Sequence, residues 1–354
     1  MKKTCFILAV LFLVFLPNAN AALLTDNLIG YWKFDNNGAD SSGGGRDLDL
    51  YGDPNFSAGL FGQALDLHSN NSQYAQRPVD DNVYNFSSSN FTIQVWVNLN
   101  SLSVEQVLLE KFQGASGPGW TLTYYPGWPL PTSEKFHFYT YLSARIYSND
   151  LQVTVGQWHQ IIMRRDGSTF ELFYDNTLIG SVINSTIFED SSYPLIFGRR
   201  NPYGQVFPLD GKLDEVAIWN RALSADEIGL LYNNGQGRQI LPVLVTIDIK
   251  PGGYPNSINL KSNGVVPVAI LTTGVFDAST VDPETVFFAG ASPVRWTMED
   301  VDRDGDMDLL FHFKTQELKL DEHSTEATLT GNTYDETSIA GTDTVNIVPK
   351  EKSK

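Results

Sequence analysis

Short runs of alternating apolar and polar residues fill the chain from about residue 28 to residue 234, with Gly, Asn and Asp between them. In the clearest run every second position is apolar: Phe91, Ile93, Val95, Val97 and Leu99. A period of two predicts a β-strand with one buried face. Many short strands separated by turn residues are typical of a sandwich or jelly roll, so the sequence predicts an all-β fold.

A turn signal in the middle of this region predicts an antiparallel hairpin. Residues 158–165 and 168–174 both have strand character, and they flank Asp166 and Gly167. Asp-Gly is a favoured pair in two-residue hairpin turns, because glycine tolerates the left-handed backbone that such turns need.

One helix and one linker organise the rest of the chain. Ser224 and Glu227 have the spacing of a capping box, which predicts a helix that ends near Gly235. A second strand-rich unit follows the linker. The predicted division is a leader over 1–21, a jelly-roll domain over 22–236, a linker over 237–244, a smaller β-sandwich-like domain over 245–348 and a polar tail over 349–354.

The first 21 residues have the three parts of a secretory signal peptide. Lys2 and Lys3 precede an apolar run over residues 5–16, and small residues up to Ala21 supply a cleavage site. The run is too short for a stable membrane span. We therefore expect cleavage after about Ala21 and a secreted or periplasmic protein without a membrane span. A retained N-terminal anchor is the alternative.

The composition of the chain excludes cysteine chemistry in the mature protein and disfavours anionic binding partners. The only cysteine, Cys5, lies in the leader, so the mature chain is expected to have no disulfides, no thiolate catalysis and no cysteine-ligated zinc site. The full chain has 24 basic and 41 acidic residues, a net charge of −17. Nucleic acid and anionic membranes would repel so acidic a chain, whereas divalent cations would be attracted to it.

Five segments in the first domain resemble a known family. They are residues 30–35, 62–67, 91–97, 156–159 and 213–224. The first two segments resemble the opening of a LamG-like domain. The other three resemble, in order, its central strand, its middle hairpin and its closing signature. The resemblance implies a concanavalin A-like jelly-roll sandwich, a fold that commonly binds glycans or proteins, but it does not identify a ligand.

The second domain resembles a β-domain found in uncharacterised secreted bacterial proteins. Residues 247–252, 255–259 and 266–271 carry this resemblance. It helps to place the domain boundaries and implies no function.

A run of aspartates in the second domain predicts a calcium loop. Residues 300–308 fit the pattern D-x-D-x-D-G-x-x-D, with Gly305 at the sixth position. Calcium takes six to eight oxygen ligands, and this spacing can wrap them around one ion. The predicted ligands are the carboxylates of Asp300, Asp302, Asp304 and Asp308 and the backbone carbonyl of Asp306. The role expected for the ion is structural, and a solvated acidic turn is the alternative.

A second metal ligand is a weaker prediction at Asp40. The Asp-Ser-Ser-Gly loop that begins there matches the family pattern, but sequence alone does not complete a ligand set. The alternative is an Asx-type turn, in which the Asp40 side chain accepts a bond from its own backbone.

Aromatic residues crowd the segment from residue 119 to residue 141. Tyr124, Tyr125 and Trp128 fall where strand alternation breaks down, so they are candidates for a surface that stacks on sugar rings. The alternative is that the aromatic residues of this segment, including Trp120, Phe136 and Phe138, fill the sandwich core.

No catalytic pattern accompanies these features. The E-x-D-x-x-E arrangement of glucanases that share this sandwich is absent from the sequence, and Asp214 and Glu215 are expected on opposite faces of a strand because they are adjacent. The predicted function is a non-catalytic binding protein for a glycan or a cell-surface protein, with a structural Ca²⁺ site. A spacer in a surface assembly and a glycoside hydrolase on the same fold are the alternatives.

Overall fold

The computed structural model describes residues 24–348, except 70–71, 80–81, 114–116, 127–134, 141–144, 149–150, 186–188, 201–205 and 335–336. The predicted leader and the polar tail therefore lie outside the described residues. The described chain is built from strands, with one short α-helix, so the all-β prediction is confirmed. Among the described residues, no helix has the length and apolar character needed to cross a membrane.

The N-terminal region, residues 24–241, forms two sheets and the α-helix. Its strands are β1 (Leu28–Trp32), β2 (Asp49–Tyr51), β3 (Asn55–Ala58), β4 (Gln63–Leu67), β5 (Tyr74–Gln76), β6 (Phe91–Leu99), β7 (Gln106–Phe112), β8 (Gly119–Tyr125), β9 (Lys135–Thr140), β10 (Arg145–Tyr147), β11 (His159–Asp166), β12 (Thr169–Tyr174), β13 (Thr177–Ile183), β14 (Ile196–Phe197) and β15 (Gly211–Trp219). The helix is α1 (Ala225–Tyr232), and short 3₁₀ turns occupy Asn82–Tyr84 and Asn233–Gly235.

These strands pair as an eight-stranded and a seven-stranded antiparallel sheet. The eight-stranded sheet has the order β13-β12-β11-β6-β15-β4-β3, with β1 also paired to β15. The seven-stranded sheet has the order β10-β9-β8-β7-β14-β5-β2. A large apolar core contains side chains from both sheets, among them Trp32, Leu65, Val95, Trp120 and Phe138.

The hairpin prediction is confirmed with a shift of one residue. Asp166 pairs with Thr169, so the two turn residues are Gly167 and Ser168 rather than Asp166 and Gly167. Gly167 has a φ of +59°, the left-handed conformation that glycine adopts without strain.

The helix prediction is also confirmed, including its cap. The Ser224 side chain accepts from the Glu227 amide, and the Glu227 side chain accepts from the Ser224 amide. This reciprocal pair satisfies amide groups that the first turn of a helix leaves without partners. Asn233 in the left-handed conformation ends the helix just before Gly235.

The central strand β6 differs from its prediction, because both of its faces are buried. Its apolar positions face the sandwich core, but Thr92, Gln94 and Trp96 are also buried. A second apolar cluster on the other side of the eight-stranded sheet joins strand residues such as Trp219 to Ile228 and Leu231 of α1. The helix therefore covers this face, and polar side chains lie beneath the cover.

The C-terminal region, residues 243–348, forms three smaller sheets. Its strands are β16 (Val243–Leu244), β17 (Ile247–Ile249), β18 (Ser257–Ile258), β19 (Val265–Ile270), β20 (Val281–Phe288), β21 (Pro293–Glu299), β22 (Asp308–Lys314), β23 (Glu326–Thr333), β24 (Ser338–Thr344) and β25 (Asn346–Ile347). Short 3₁₀ turns occupy Ala278–Thr280 and Thr315–Glu317.

Two four-stranded sheets enclose a separate apolar core in this region. Their orders are β16-β24-β23-β20 and β17-β19-β22-β21, and β18 pairs with β25. The core contains Ile249, Val268, Phe288, Phe311 and Leu329. Val243 and Leu244, which the sequence placed in the linker, form strand β16 beside β24.

Candidate functional site

The aspartate loop connects β21 to β22, so two paired strands fix both of its ends. Asp300 follows the last residue of β21, and Asp308 is the first residue of β22. Within the loop, carboxylate oxygens of Asp300, Asp302 and Asp304 all lie within 4.8 Å of one another. This triad could hold a metal ion, because two oxygens on opposite sides of an ion at roughly 2.4 Å are about 4.8 Å apart.

A buried oxygen in the triad fits this interpretation. Oδ1 of Asp300 is buried and has no hydrogen-bond partner in the part of the chain that the structure describes. An oxygen shielded from water without a partner is costly, and a bound cation is one group that would satisfy it. The neighbouring carboxylates of Asp302 and Asp304 supply further hard oxygen donors of the type that calcium prefers.

Asp308 has a different position from the three carboxylates of the triad. Its side chain is fully buried, Oδ1 accepts from the Thr272 amide at 2.9 Å, and Oδ2 accepts from the Val301 amide at 2.9 Å. Asp308 therefore joins the loop to the end of β19, and its two bonds hold the loop closed. Sequence reasoning missed the part that Thr272 plays.

Backbone geometry and local bonds shape the middle of the loop. The Asp304 amide donates to the Asp302 carboxylate at 3.2 Å, and the Asp306 amide donates to the Asp304 carboxylate at 3.1 Å. Gly305 has a φ of +104°, so the predicted need for glycine at the turn is confirmed. Desolvation raises the pKa of Asp302 and of Asp306, and the charge on Asp304 adds to the rise.

Asp40 lies in a turn of the N-terminal region, where backbone amides surround its carboxylate. Oδ1 accepts from the amides of Tyr31 and Ser42, and Oδ2 accepts from the amide of Arg46 at 3.0 Å. The bond from Ser42, two residues further along, is that of an Asx turn. These bonds match the alternative interpretation of Asp40, and its role as a metal ligand stays a prediction.

The predicted aromatic surface is not assembled as expected. Tyr124 is fully buried in the sandwich core, where its ring packs edge-on against Phe136. A buried ring offers no stacking surface, so this residue follows the core-packing alternative. Tyr125, at the end of β8, is half-buried, and Trp128 lies outside the described residues.

A different surface, the outer face of the seven-stranded sheet, combines rings with polar groups. Paired strands place Tyr139, Thr121 and Glu110 side by side across β9, β8 and β7. Thr123 lies next to Thr121 on the same strand face, beside His137 of β9. This set of five residues is called the outer face below. It lies opposite the core-facing residues of the same strands.

Two buried hydroxyls of the outer face have no partner within the described part of the chain. Thr121 and Thr123 are 1% and 0% exposed, and neither Oγ1 atom has a hydrogen-bond partner among the described residues. Beside them, the buried carboxylate of Glu110 lies 3.3 Å from Nε of Arg200. Strand alternation could have indicated the outward direction of these side chains, but their burial depends on the folded chain.

Aromatic rings extend the outer face towards solvent. Tyr147 of β10 stacks on His137 with ring centres 4.2 Å apart, and Tyr147 is 41% exposed. At the other edge of the sheet, Tyr51 stacks on Tyr74 at 4.6 Å, and the guanidinium of Arg199 lies 4.6 Å from the Tyr74 ring centre.

The prediction that Asp214 and Glu215 lie on opposite faces of a strand is wrong. The pairing of β15 with β6 shifts between Asp214 and Ala217, and Glu215 has a φ of +48°. Such a β-bulge inserts an extra residue and breaks the alternation of side chains. Both carboxyls are buried, and Oε2 of Glu215 accepts a short hydrogen bond from the hydroxyl of Tyr31.

Burial changes the acidity of both groups. Desolvation raises the pKa of Asp214 to about 7, against three backbone amide bonds that lower it. Desolvation and then the charge on Asp214 raise the pKa of Glu215 to about 8. The amides of Leu60 and Phe61 donate to Asp214, so the loop that carries them lies against this pair. A glycosidase pair must reach its substrate, whereas these two groups are buried.

Comparison with known proteins supports the fold. Residues 69–229 match the family model described as the concanavalin A-like lectin/glucanases superfamily. No curated protein matches the sequence.

Several solved structures are similar at low identity. Domain 4 of AbnA, a GH43 extracellular arabinanase from Geobacillus stearothermophilus, in complex with arabinotriose, is 18% identical with a TM-score of 0.46, covering 60% of this chain and 98% of that chain. The binding domain of Paraclostridial Mosquitocidal Protein 1 is 15% identical with a TM-score of 0.49, covering 89% and 73%. Trypanosoma rangeli sialidase in complex with sialic acid is 18% identical with a TM-score of 0.47, covering 61% and 35%. The sequence motifs indicated a resemblance to a concanavalin A-like domain. The family match over residues 69–229, to the concanavalin A-like lectin/glucanase superfamily, confirms it.

Proposed function

We propose that this protein is a secreted, non-catalytic carbohydrate-binding protein that contacts its ligand through the outer face of the seven-stranded sheet. The observation that carries the proposal is the ring of Tyr147, which is 41% exposed beside the outer face and stacks on His137 with ring centres 4.2 Å apart. An exposed ring held in place by a neighbouring ring offers a flat apolar surface on which a sugar ring can stack.

The surroundings of this ring suit a sugar. His137 and Tyr139, on the neighbouring strand β9, are half-buried, and their rings bring polar atoms to the same surface. Sugar rings have both apolar faces and polar edges, so they are recognised by aromatic side chains together with hydrogen-bonding groups. The exposed ring of Tyr147 extends the same surface.

Replacing Tyr147 by alanine tests the proposal. We expect Tyr147→Ala to weaken glycan binding by about 3- to 10-fold, since an aromatic stacking contact is worth roughly 0.5–1.5 kcal/mol. Binding of the mature protein to a panel of plant and bacterial polysaccharides, followed by calorimetry on the best ligand, provides the measurement.

Stability serves as the internal control for this experiment. Because the ring of Tyr147 is 41% exposed, its removal should change the unfolding temperature little. Tyr334→Ala, at a ring that is 69% exposed in the C-terminal region, is the matched control and should bind normally. If no glycan binds the wild-type protein, or if Tyr147→Ala binds as well as the wild type, the proposal is wrong.

We also assign Ca²⁺ as the ion for the loop of residues 300–308. The support is the set of hard carboxylate oxygens in the triad and the buried oxygen of Asp300, for which the described residues supply no partner. The proposed ligands from the triad are Asp300, Asp302 and Asp304, with Asp308 holding the loop. When bound, the ion would neutralise crowded negative charge and fix the connection between β21 and β22.

The proposed location is outside the cytoplasm, after removal of the leader at about Ala21. The supporting features are the charged start, the apolar run and the small residues of the leader. N-terminal sequencing of protein recovered from the culture medium or the periplasm would test it, and an intact leader would contradict it.

A further inference from the structure

Strand β21 forms an unpaired edge of the C-terminal region. It pairs with β22 along one side, and no described strand pairs with its other side. Every residue from Val294 to Glu299 is exposed. An edge of this kind presents a row of backbone donors and acceptors that another strand can use.

The exposed residues include an apolar row that belongs to the core face of the sheet. Trp296 lies opposite Phe311, and Met298 lies opposite Leu309. Phe311 and Leu309 are buried in the core, whereas Trp296 and Met298 are 44% and 36% exposed. The core-side face of the sheet is therefore only partly covered at β21, and the large apolar side chains of Trp296 and Met298 are exposed to solvent.

A proline and a register shift, two features that usually protect sheet edges from pairing, lie at the start of this strand. Pro293 has no amide to donate, and the register shifts between Pro293 and Arg295. From Arg295 to Glu299 the pairing with β22 is regular, so this stretch remains suited to pairing with a further strand.

We infer that β21 pairs with β21 of a second copy of this chain, antiparallel and centred on Thr297. In that register Arg295 faces Glu299 of the second copy, Trp296 faces Met298, and Thr297 faces Thr297. Each pair is of a favourable type: opposite charges, a sulfur against an aromatic ring, and two threonines. The segment is therefore complementary to itself on both faces, in charge on one and in apolar character on the other.

The pairing is expected to be weak. Five residues from each copy bury far less than the area of a standard stable interface. The net charge of −17 on each copy also opposes association, so we expect the dimer to form more readily as ionic strength rises.

A charge swap tests the register. Sedimentation equilibrium of the full mature protein at increasing concentration should show a rise in mean mass towards a dimer. Arg295→Glu should abolish the rise, because glutamates then face one another. Arg295→Glu combined with Glu299→Arg should restore it, because opposite charges face one another again. Both side chains are exposed, so the variants should keep the wild-type unfolding temperature.

A cysteine provides a second measurement. The mature chain is expected to contain no cysteine, so Thr297→Cys would place a single thiol opposite its own copy, and mild oxidation should give a disulfide-linked dimer. Val275→Cys, at a side chain that is 96% exposed, should link much less. The inference is wrong if the protein stays monomeric at every concentration, or if Arg295→Glu leaves the dimer unchanged. A monomer would mean that the partner of this edge is a strand from another protein.

Discussion

Removing calcium should lower the unfolding temperature of the C-terminal region by about 10 °C or more. A ligand at 100 times its dissociation constant stabilises the folded state by about 2.7 kcal/mol. For a domain of about 100 residues, each kcal/mol corresponds to roughly 4–8 °C. The effect should be large because the loop leads directly into the core strand β22 and holds a buried carboxylate oxygen that has no partner among the described residues. Calorimetry of the mature protein with excess Ca²⁺ and with a chelator measures it.

Variants assign the effect to the loop. Asp302→Ala with Asp304→Ala should abolish the calcium response, whereas Glu322→Ala, an exposed acid in the same region, should retain it. Asp308→Ala should destabilise the protein with calcium and with chelator, since it removes the acceptor of two part-buried amides. Equal unfolding temperatures in Ca²⁺ and in chelator would show that the aspartates form a solvated turn.

The second large effect should be a loss of stability of the N-terminal region as pH rises from about 5 to 9. Asp214 and Glu215 have pKa values raised to about 7 and about 8, well above those of an unfolded chain. Between the unfolded and the folded pKa values the native state binds more protons than the unfolded state, so stability falls with rising pH. Each pKa unit corresponds to 1.36 kcal/mol, so the two groups together should lower the stability by something on the order of 7 kcal/mol over this pH range.

Glu215→Gln isolates this contribution. Glutamine is neutral at every pH, and its side chain can still accept a bond from the Tyr31 hydroxyl, so the variant should be more stable than wild type at pH 9 and should depend less on pH. Glu284→Gln, at an exposed position, is the control and should follow the wild-type profile. Urea unfolding monitored by tryptophan fluorescence suits the test, because six of the seven tryptophans, all except Trp296, lie before residue 220. Wild-type stability that rises over this pH range would contradict the prediction.

Local signals explain why much of the fold was predictable. Alternation identified β6, the Asp-Gly pair identified the β11–β12 hairpin to within one residue, and Ser224 with Glu227 identified the start of the helix. The spacing of the aspartates likewise predicted a loop that gathers carboxylates, and the structure brings three of them together. In each case the residues that decide the structure are neighbours in the sequence.

The remaining features depend on contacts between distant segments. A helix more than 120 residues away covers the outward positions of β6, so Gln94 and Trp96 are buried although they alternate with core residues. The bulge at Glu215 reverses an expectation based on regular alternation. The outer face was missed because the burial of Thr121 and Thr123 results from the assembly of several strands.

The parallel pairing of β16 with β24 also bears on how the C-terminal region could move between proteins. Val243 lies beside Ile339, so the first strand of the region, β16, runs next to β24, the last strand but one. The end of β24 is five residues beyond Ile339, which places Val243 within about 20 Å of Thr344, four residues before the region ends at Val348. Close termini let a folded unit be inserted into a surface loop of a host, or appended to it, with little strain. The C-terminal region is therefore suited to insertion into other proteins or attachment to them.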